Sequence, residues 1–119
     1  MNWSEVESFL DKLSTLKPLP VNSRRTDKSY TSAYESAKGR HLVLERRNSG
    51  FAKVYFEMPF DASKLGLTPD SVVKYYGANE ARAGLERASR RFAVGNPMAC
   101  VKVATLSDLQ RLLASENEA

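Results

Sequence analysis

The sequence predicts a small α+β domain in which an antiparallel sheet of three or four strands is covered by an N-terminal and a C-terminal helix. Residues 40–58 contain two runs of strand-forming residues joined by a short polar connection. Residues 3–16 and 106–115 carry apolar residues at helical spacing. A helix with one apolar stripe needs a surface to cover, so we expect both helices on the apolar face of the sheet.

The central hairpin, residues 40–58, is the clearest of these signals. Apolar and mixed residues alternate along its second run, which is typical of a strand with one face on a core and one face in water. In the first run Leu42 and Leu44 share a face. Asn48 and Gly50 adopt positive φ readily, so we expect a three-residue connection with Gly50 in the left-handed conformation.

The predicted N-terminal helix has clear start and stop signals. Asn2 can cap it with Glu5 as the reciprocal partner three residues later. Pro18 and Pro20 end it, because proline cannot continue a helix.

The C-terminal part predicts a strand followed by a helix. Residues 98–103 are rich in apolar residues, and Cys100 among them is expected to point into the core as a small hydrophobe. Thr105 or Ser107 can cap the last helix. We expect residues 115–119 to fray.

The segments between these elements have weaker patterns. Residues 31–38 have helical spacing up to Gly39, so a short helix is predicted there. Residues 72–77 favour a third strand, with a helical turn as the alternative. Residues 79–92 have helical spacing that Gly84 weakens, and a long irregular loop is the alternative.

Length and composition favour one domain spanning residues 1–119. Hydrophobic residues make up 42% and charged residues 27% of the chain, which are values of folded globular proteins. No apolar run approaches the ~20 residues that a membrane helix needs, and the opening residues are not typical of a secretory signal. A single cysteine fits a reducing compartment. We therefore expect a cytoplasmic protein that does not bind membranes.

Positive charge is concentrated in two blocks of the sequence. Residues 22–53 carry eight basic against three acidic residues, and residues 82–102 carry five against one. If the blocks meet in space, they form a basic face that attracts phosphates or an acidic protein.

The sequence offers weak support for catalysis. His41 is the only histidine, so a zinc site would lack diagnostic spacing, and no phosphate-binding glycine loop is present. We expect neither a metal nor a cofactor. The alternative is a small metal-independent ribonuclease with His41 and Glu45 or Glu57 as acid and base, and Arg40 or Arg46 on the phosphate.

The leading functional hypothesis is a non-catalytic module that binds DNA or RNA through an arginine-rich surface. Arginine favours bidentate contacts with phosphate, and tyrosines near basic residues can stack on unpaired bases. The candidate binding residues are Arg24, Arg25, Lys28, Arg40, Arg46, Arg47, Lys53, Arg87, Arg90 and Arg91, with Tyr30, Tyr34 and Tyr55 as candidates for stacking.

The alternative hypothesis is a protein-protein interaction module. An inhibitor, immunity or adaptor protein of a bacterial or phage system would use the same basic face on an acidic partner. A homodimer formed through an exposed edge strand is also compatible with a small sheet.

Overall fold

A six-stranded antiparallel sheet with two helices forms the domain in the computed structural model, which describes residues 1–19, 31–46, 50–80 and 85–118. The spatial order of the strands is β1-β2-β3-β4-β6-β5. The helices are α1 (Trp3–Asp11) and α2 (Leu106–Glu118), and the strands are β1 (Lys17–Pro18), β2 (Thr31–Glu35), β3 (His41–Glu45), β4 (Ala52–Glu57), β5 (Val72–Tyr76) and β6 (Met98–Val103). The α+β class is confirmed, whereas the prediction of three or four strands is wrong.

The predicted hairpin is present as the pair β3 and β4. Leu42 lies opposite Phe56 and Leu44 lies opposite Val54, so the apolar residues of the two strands share one face. Most of the predicted connection, residues 47–49, lies outside the described residues. Gly50 does not have the positive φ that the sequence predicted. The register is therefore set by the matched apolar faces of the two strands.

Strand β2 replaces the helix predicted for residues 31–38. All five of its residues pair with β3, from Thr31 opposite Glu45 to Glu35 opposite His41. Gly39, at φ 76°, lies in the tight turn between the strands, where it was expected to end a helix. Pairing with a neighbouring strand overrides a local helical spacing because it satisfies the backbone and buries both faces of the segment.

The two helices pack on one face of the sheet, as predicted, and form the main core. α1 contributes Val6 and Leu10, and α2 contributes Leu109 and Leu112, all with at most 1% of their surface exposed. The sheet contributes the buried side chains of Tyr34, Leu42, Leu44, Val54, Phe56, Ala99, Val101 and Val103. Burial of this apolar area is the main source of stability for the domain.

The helix boundaries differ from the prediction at both ends of the chain. The capping box of Asn2 and Glu5 is present, but α1 ends at Asp11, well before residue 16. Thr105 caps α2 by accepting a hydrogen bond from the Asp108 amide at 3.1 Å. The predicted fraying of residues 115–119 is wrong for residues 115–118, because α2 continues to Glu118 and buries the carboxylate of Glu116, and Ala119 lies outside the described residues.

The opposite face of the sheet, called here the second face, is also partly buried. Val43 and Cys100 lie there under Leu85 and Phe92, which belong to residues 85–92, the covering segment. This segment contains two short 3-10 turns, Leu85–Arg87 and Arg90–Phe92, in place of the predicted continuous helix. The expectation that this face lies in water is therefore wrong where the covering segment packs on it.

Candidate functional site

Arg40 is a structural residue of the hairpin base. Its Nε lies 2.8 Å from the carboxylate of Glu116, and its Nη2 donates to the carbonyl oxygens of Glu57 at 2.7 Å and Pro59 at 2.9 Å. Its side chain is only 16% exposed. The guanidinium therefore joins α2 to the end of β4 and has little capacity left for a phosphate.

Arg46 is held in a similar way near the other end of the hairpin. Its Nε lies 3.0 Å from the carboxylate of Glu7, and its guanidinium lies 4.7 Å from the centroid of the Trp3 ring. The side chain is 8% exposed. This cation–π contact and ion pair fix α1 against the hairpin.

Arg91 and Arg90 lie on the covering segment and are exposed. Arg91 donates to the Gly39 carbonyl and lies 3.1 Å from the carboxylate of Glu57. It therefore approaches Arg40, which binds the carbonyl of that same glutamate. Arg40 and Arg91, one from each basic block of the sequence, therefore come close together, but they meet around the carboxylate-bearing residue Glu57.

Several of the predicted binding residues are not described by the structure. Arg24, Arg25, Lys28 and Arg47 lie outside the described residues, as does Tyr30, and Arg87 is described by its backbone alone. Their proposed roles stay predictions.

The two described tyrosines of the stacking prediction are buried. Tyr34 is completely buried and its hydroxyl donates to Asp11 at 2.8 Å. Tyr55 is 7% exposed and packs on the second face of the sheet, directly opposite Cys100 in the neighbouring strand. Neither ring offers a free face to a base in this structure.

His41 lies between a serine and a carboxylate. Its Nδ1 is 2.8 Å from the Ser89 hydroxyl, and its Nε2 is 3.4 Å from the carboxylate of Glu35. The sequence of contacts from serine to histidine to glutamate resembles the nucleophile, base and acid of a catalytic triad. Ser89 is buried, however, and it also accepts the Arg91 amide as the cap of a 3-10 turn. The trio is therefore better suited to anchoring the covering segment than to attacking a substrate.

Two buried acids, Asp108 and Glu116, lie near the two ends of α2. Asp108 is fully buried, and although burial alone would raise its pKa, hydrogen bonds from Ser71 and Thr68 hold the pKa below the ordinary value. Burial raises the pKa of Glu116, an effect that Arg40 opposes.

Burial also raises the pKa of the Cys100 thiol, to about 11, which keeps the thiol protonated and unreactive.

Three lysines lie on the part of the second face that the covering segment leaves open. Lys53 in β4 is directly opposite Lys102 in β6, and Lys102 is directly opposite Val72 in β5. Lys74 comes two residues after Val72 and so lies on the same face. Glu45, opposite Lys53 in β3, places a carboxylate at one end of this series. We call Lys53, Lys102 and Lys74 the lysine row.

Directly opposed like charges repel each other in a sheet. Lys53 and Lys102 are such a pair, and Lys102 and Lys74 are exposed. An anionic group bound over the row would relieve this repulsion. Sequence reasoning selected Lys53 but missed Lys74 and Lys102, because only strand pairing brings the three together.

Strand β5, which contributes Lys74 to the lysine row, also exposes large apolar side chains. Val72 is 54% exposed and Tyr75 is 47% exposed. Val72 lies on the face of the lysine row and Tyr75 lies on the opposite face, so the two flank the same edge of the sheet. Exposed apolar residues rimmed by polar ones are typical of interaction surfaces. The candidate functional site is therefore β5 together with the lysine row.

The part of the chain that the structure describes contains neither a cluster of metal ligands nor a membrane-spanning helix. No group of three or more His, Cys, Asp or Glu side chains is placed to hold a metal ion there. Neither described helix is long and apolar enough to cross a membrane.

The fold and the candidate site define a small antiparallel α+β domain with a mixed basic and apolar surface at one edge of its sheet. Comparison with protein-family models, curated protein sequences and solved structures finds no match to this chain.

Proposed function

We propose that the protein is a non-catalytic interaction module that binds an acidic protein partner through β5 and the lysine row. The observation that carries this proposal is the combination of exposed Val72 and Tyr75 with the cationic Lys74 and Lys102 at one edge of the sheet. Apolar contacts supply affinity at such a surface, and complementary charges supply specificity and fast association.

The contacts of three described arginines support a protein partner over nucleic acid. Arg40, Arg46 and Arg91 each have a carboxylate within 3.1 Å. A phosphate backbone would have to compete with these internal carboxylates for the same guanidinium groups. The candidate site, in contrast, contains lysines and apolar side chains.

Nucleic acid binding is the second candidate, and the opposed pair Lys53 and Lys102 is the observation that favours it. A phosphate could bridge the two ammonium groups, whose Cα atoms are direct cross-strand partners. Such binding would fall steeply with added salt.

Site-specific photocrosslinking in cells tests the proposal. A benzoylphenylalanine at Val72 should crosslink to an acidic protein, whereas the same group at Leu106 on α2, which is 43% exposed, should not. The partner identified by mass spectrometry is then purified and its affinity for the protein is measured directly.

Charge reversal supplies the second arm of this test. Lys74→Glu with Lys102→Glu should weaken binding on the order of tenfold or more, since each attraction of up to about 1 kcal/mol becomes a repulsion. Lys12→Glu with Lys38→Glu makes the same change in net charge at exposed residues elsewhere and should leave binding nearly unchanged. Crosslinks to nucleic acid alone, or equal weakening by both double variants, would contradict a protein-binding role for this edge.

A further inference from the structure

Strand β5 forms one edge of the sheet. Its inner edge pairs with β6 through all five of its residues, and none of the residues that the structure describes pairs with its outer edge. At the opposite side of the sheet, β1 is only two residues long and contains Pro18, features that protect an edge from further pairing. β5 is longer and contains no proline.

The side chains of β5 define what a neighbouring strand would meet. On the second face an added strand would lie beside Val72, Lys74 and Tyr76, with Lys102 one strand further in. On the other face it would lie beside Val73 and Tyr75, which belongs to an aromatic group with Phe60, their ring centroids being 6.4 Å apart. One face of the edge is therefore cationic and the other is apolar.

We propose that β5 binds an extended segment of the acidic partner as an additional, seventh strand of the sheet. The segment would alternate acidic residues, directed to the side of Lys74 and Lys102, with aliphatic or aromatic residues, directed to the side of Val73 and Tyr75. Main-chain hydrogen bonds to the outer edge of β5 would supply affinity, and the alternating side chains would supply specificity. This inference rests on the proposed function and adds the binding mode.

A second copy of the chain fits this edge less well than an acidic segment. In the antiparallel register that overlaps the whole of β5, Lys74 would lie directly opposite the Lys74 of the second copy. Directly opposed like charges destabilise a strand pair, and the lysine row of each copy would add to the repulsion. Charge complementarity therefore favours an acidic occupant.

The test uses a synthetic heptapeptide that alternates valine and glutamate, with both ends blocked, titrated into the isotopically labelled full chain. Two further peptides carry N-methyl groups on alternate residues, one peptide on each of the two sets. An N-methyl group removes one main-chain donor and blocks pairing on that side. A peptide with lysine in place of glutamate is the charge control, and chemical shifts are followed by NMR.

Strand addition predicts that the backbone amides of β5 shift and become protected from hydrogen exchange when the first peptide binds. One methylated peptide should lose binding and the other should retain it, because an edge strand pairs through only one set of its amides. The Lys74→Glu variant should bind at least about tenfold more weakly, and the lysine peptide should not bind.

Other outcomes separate the failure of the binding mode from the failure of the proposed function. If both methylated peptides bind equally well and Lys74→Glu still weakens them, strand addition is wrong but recognition of an acidic partner survives. If no β5 amide shifts at millimolar peptide, the inference fails, and the crosslinking at Val72 then decides the proposed function independently. Dimerisation that protects β5 without peptide would show that a second copy occupies the edge, and would also overturn the inference.

Discussion

Replacing Asp108 by asparagine should destabilise the domain strongly, although it exchanges only one carboxylate oxygen for an NH₂ group. Asp108 is fully buried at the start of α2. Its carboxylate accepts the Thr68 amide at 3.0 Å, the Thr68 hydroxyl at 2.7 Å and the Ser71 hydroxyl at 2.6 Å. The Ser71 hydroxyl oxygen in turn accepts the Ala104 amide at 3.0 Å. One carboxylate therefore joins α2, the segment before β5 and the end of β6.

The magnitude follows from the number of charge-assisted bonds. A hydrogen bond to a charged group contributes about 1.5–3 kcal/mol. Asparagine keeps one oxygen for the Thr68 amide, but its NH₂ group takes the place of the oxygen that accepts from the Thr68 and Ser71 hydroxyls. The hydroxyls can rotate to accept in part, so we expect a loss of about 2–4 kcal/mol in the free energy of unfolding.

The stability that Asp108 contributes should depend on pH in a defined direction. The pKa of Asp108 is lowered in the folded state from its ordinary value of 3.8. Its contribution is therefore fully present above pH 3.8 and is lost as the pH falls through the depressed folded value. The difference in stability between wild type and Asp108→Asn should be constant near neutral pH and should shrink in acid.

Urea denaturation of both proteins between neutral and acidic pH measures this difference. Asp70→Asn is the matched control, because Asp70 lies in the same region but is exposed. It should change the stability by less than about 0.5 kcal/mol. A loss below about 1 kcal/mol for Asp108→Asn, or a loss that does not diminish in acid, would refute the role assigned to the carboxylate.

Three further predictions concern Arg40, Phe92 and Gly39. Arg40→Ala should lower the free energy of unfolding by about 3 kcal/mol near neutral pH, because it leaves Glu116 buried without its cation. The pKa of Glu116 is raised, so this loss should shrink as acid protonates Glu116. Urea denaturation at two pH values measures the change. Phe92→Ala should cost about 3–5 kcal/mol and should speed the reaction of Cys100 with a thiol reagent, because Phe92 covers Cys100 on the second face. A reaction rate as slow as that of wild type would argue against this cover. Gly39→Ala should cost about 1–2 kcal/mol because φ at Gly39 is 76°, measured by thermal unfolding, and an unchanged melting temperature would contradict this.

The elements with strong local signals were predictable from the sequence. The capping residues Asn2 and Glu5 and the alternation of residues 52–58 are local patterns, and a capped helix and a strand form there. Residues 31–35 show the limit of such reasoning. Their helical spacing is real, but pairing along β3 makes them a strand, and pairing depends on a neighbour that spacing does not reveal.

The candidate site was less predictable than the fold for the same reason. The sequence identified basic residues by their number, whereas their accessibility depends on which acidic residues lie beside them. Arg40 and Glu116 are 76 residues apart in the chain, and their ion pair forms only because α2 packs across the sheet. No local pattern distinguishes this arginine from one that is free to bind a ligand.

The sequence by itself determined the α+β class, the hairpin, the terminal helices and the positions of the basic blocks, because each depends on residues near one another in the chain. The tertiary structure decided how the charges are used. It buried Arg40 and Arg46 against carboxylates and placed Lys102 beside Lys53 and Val72. Charge acts through space, so its effect depends on packing and strand order, which only the folded chain fixes.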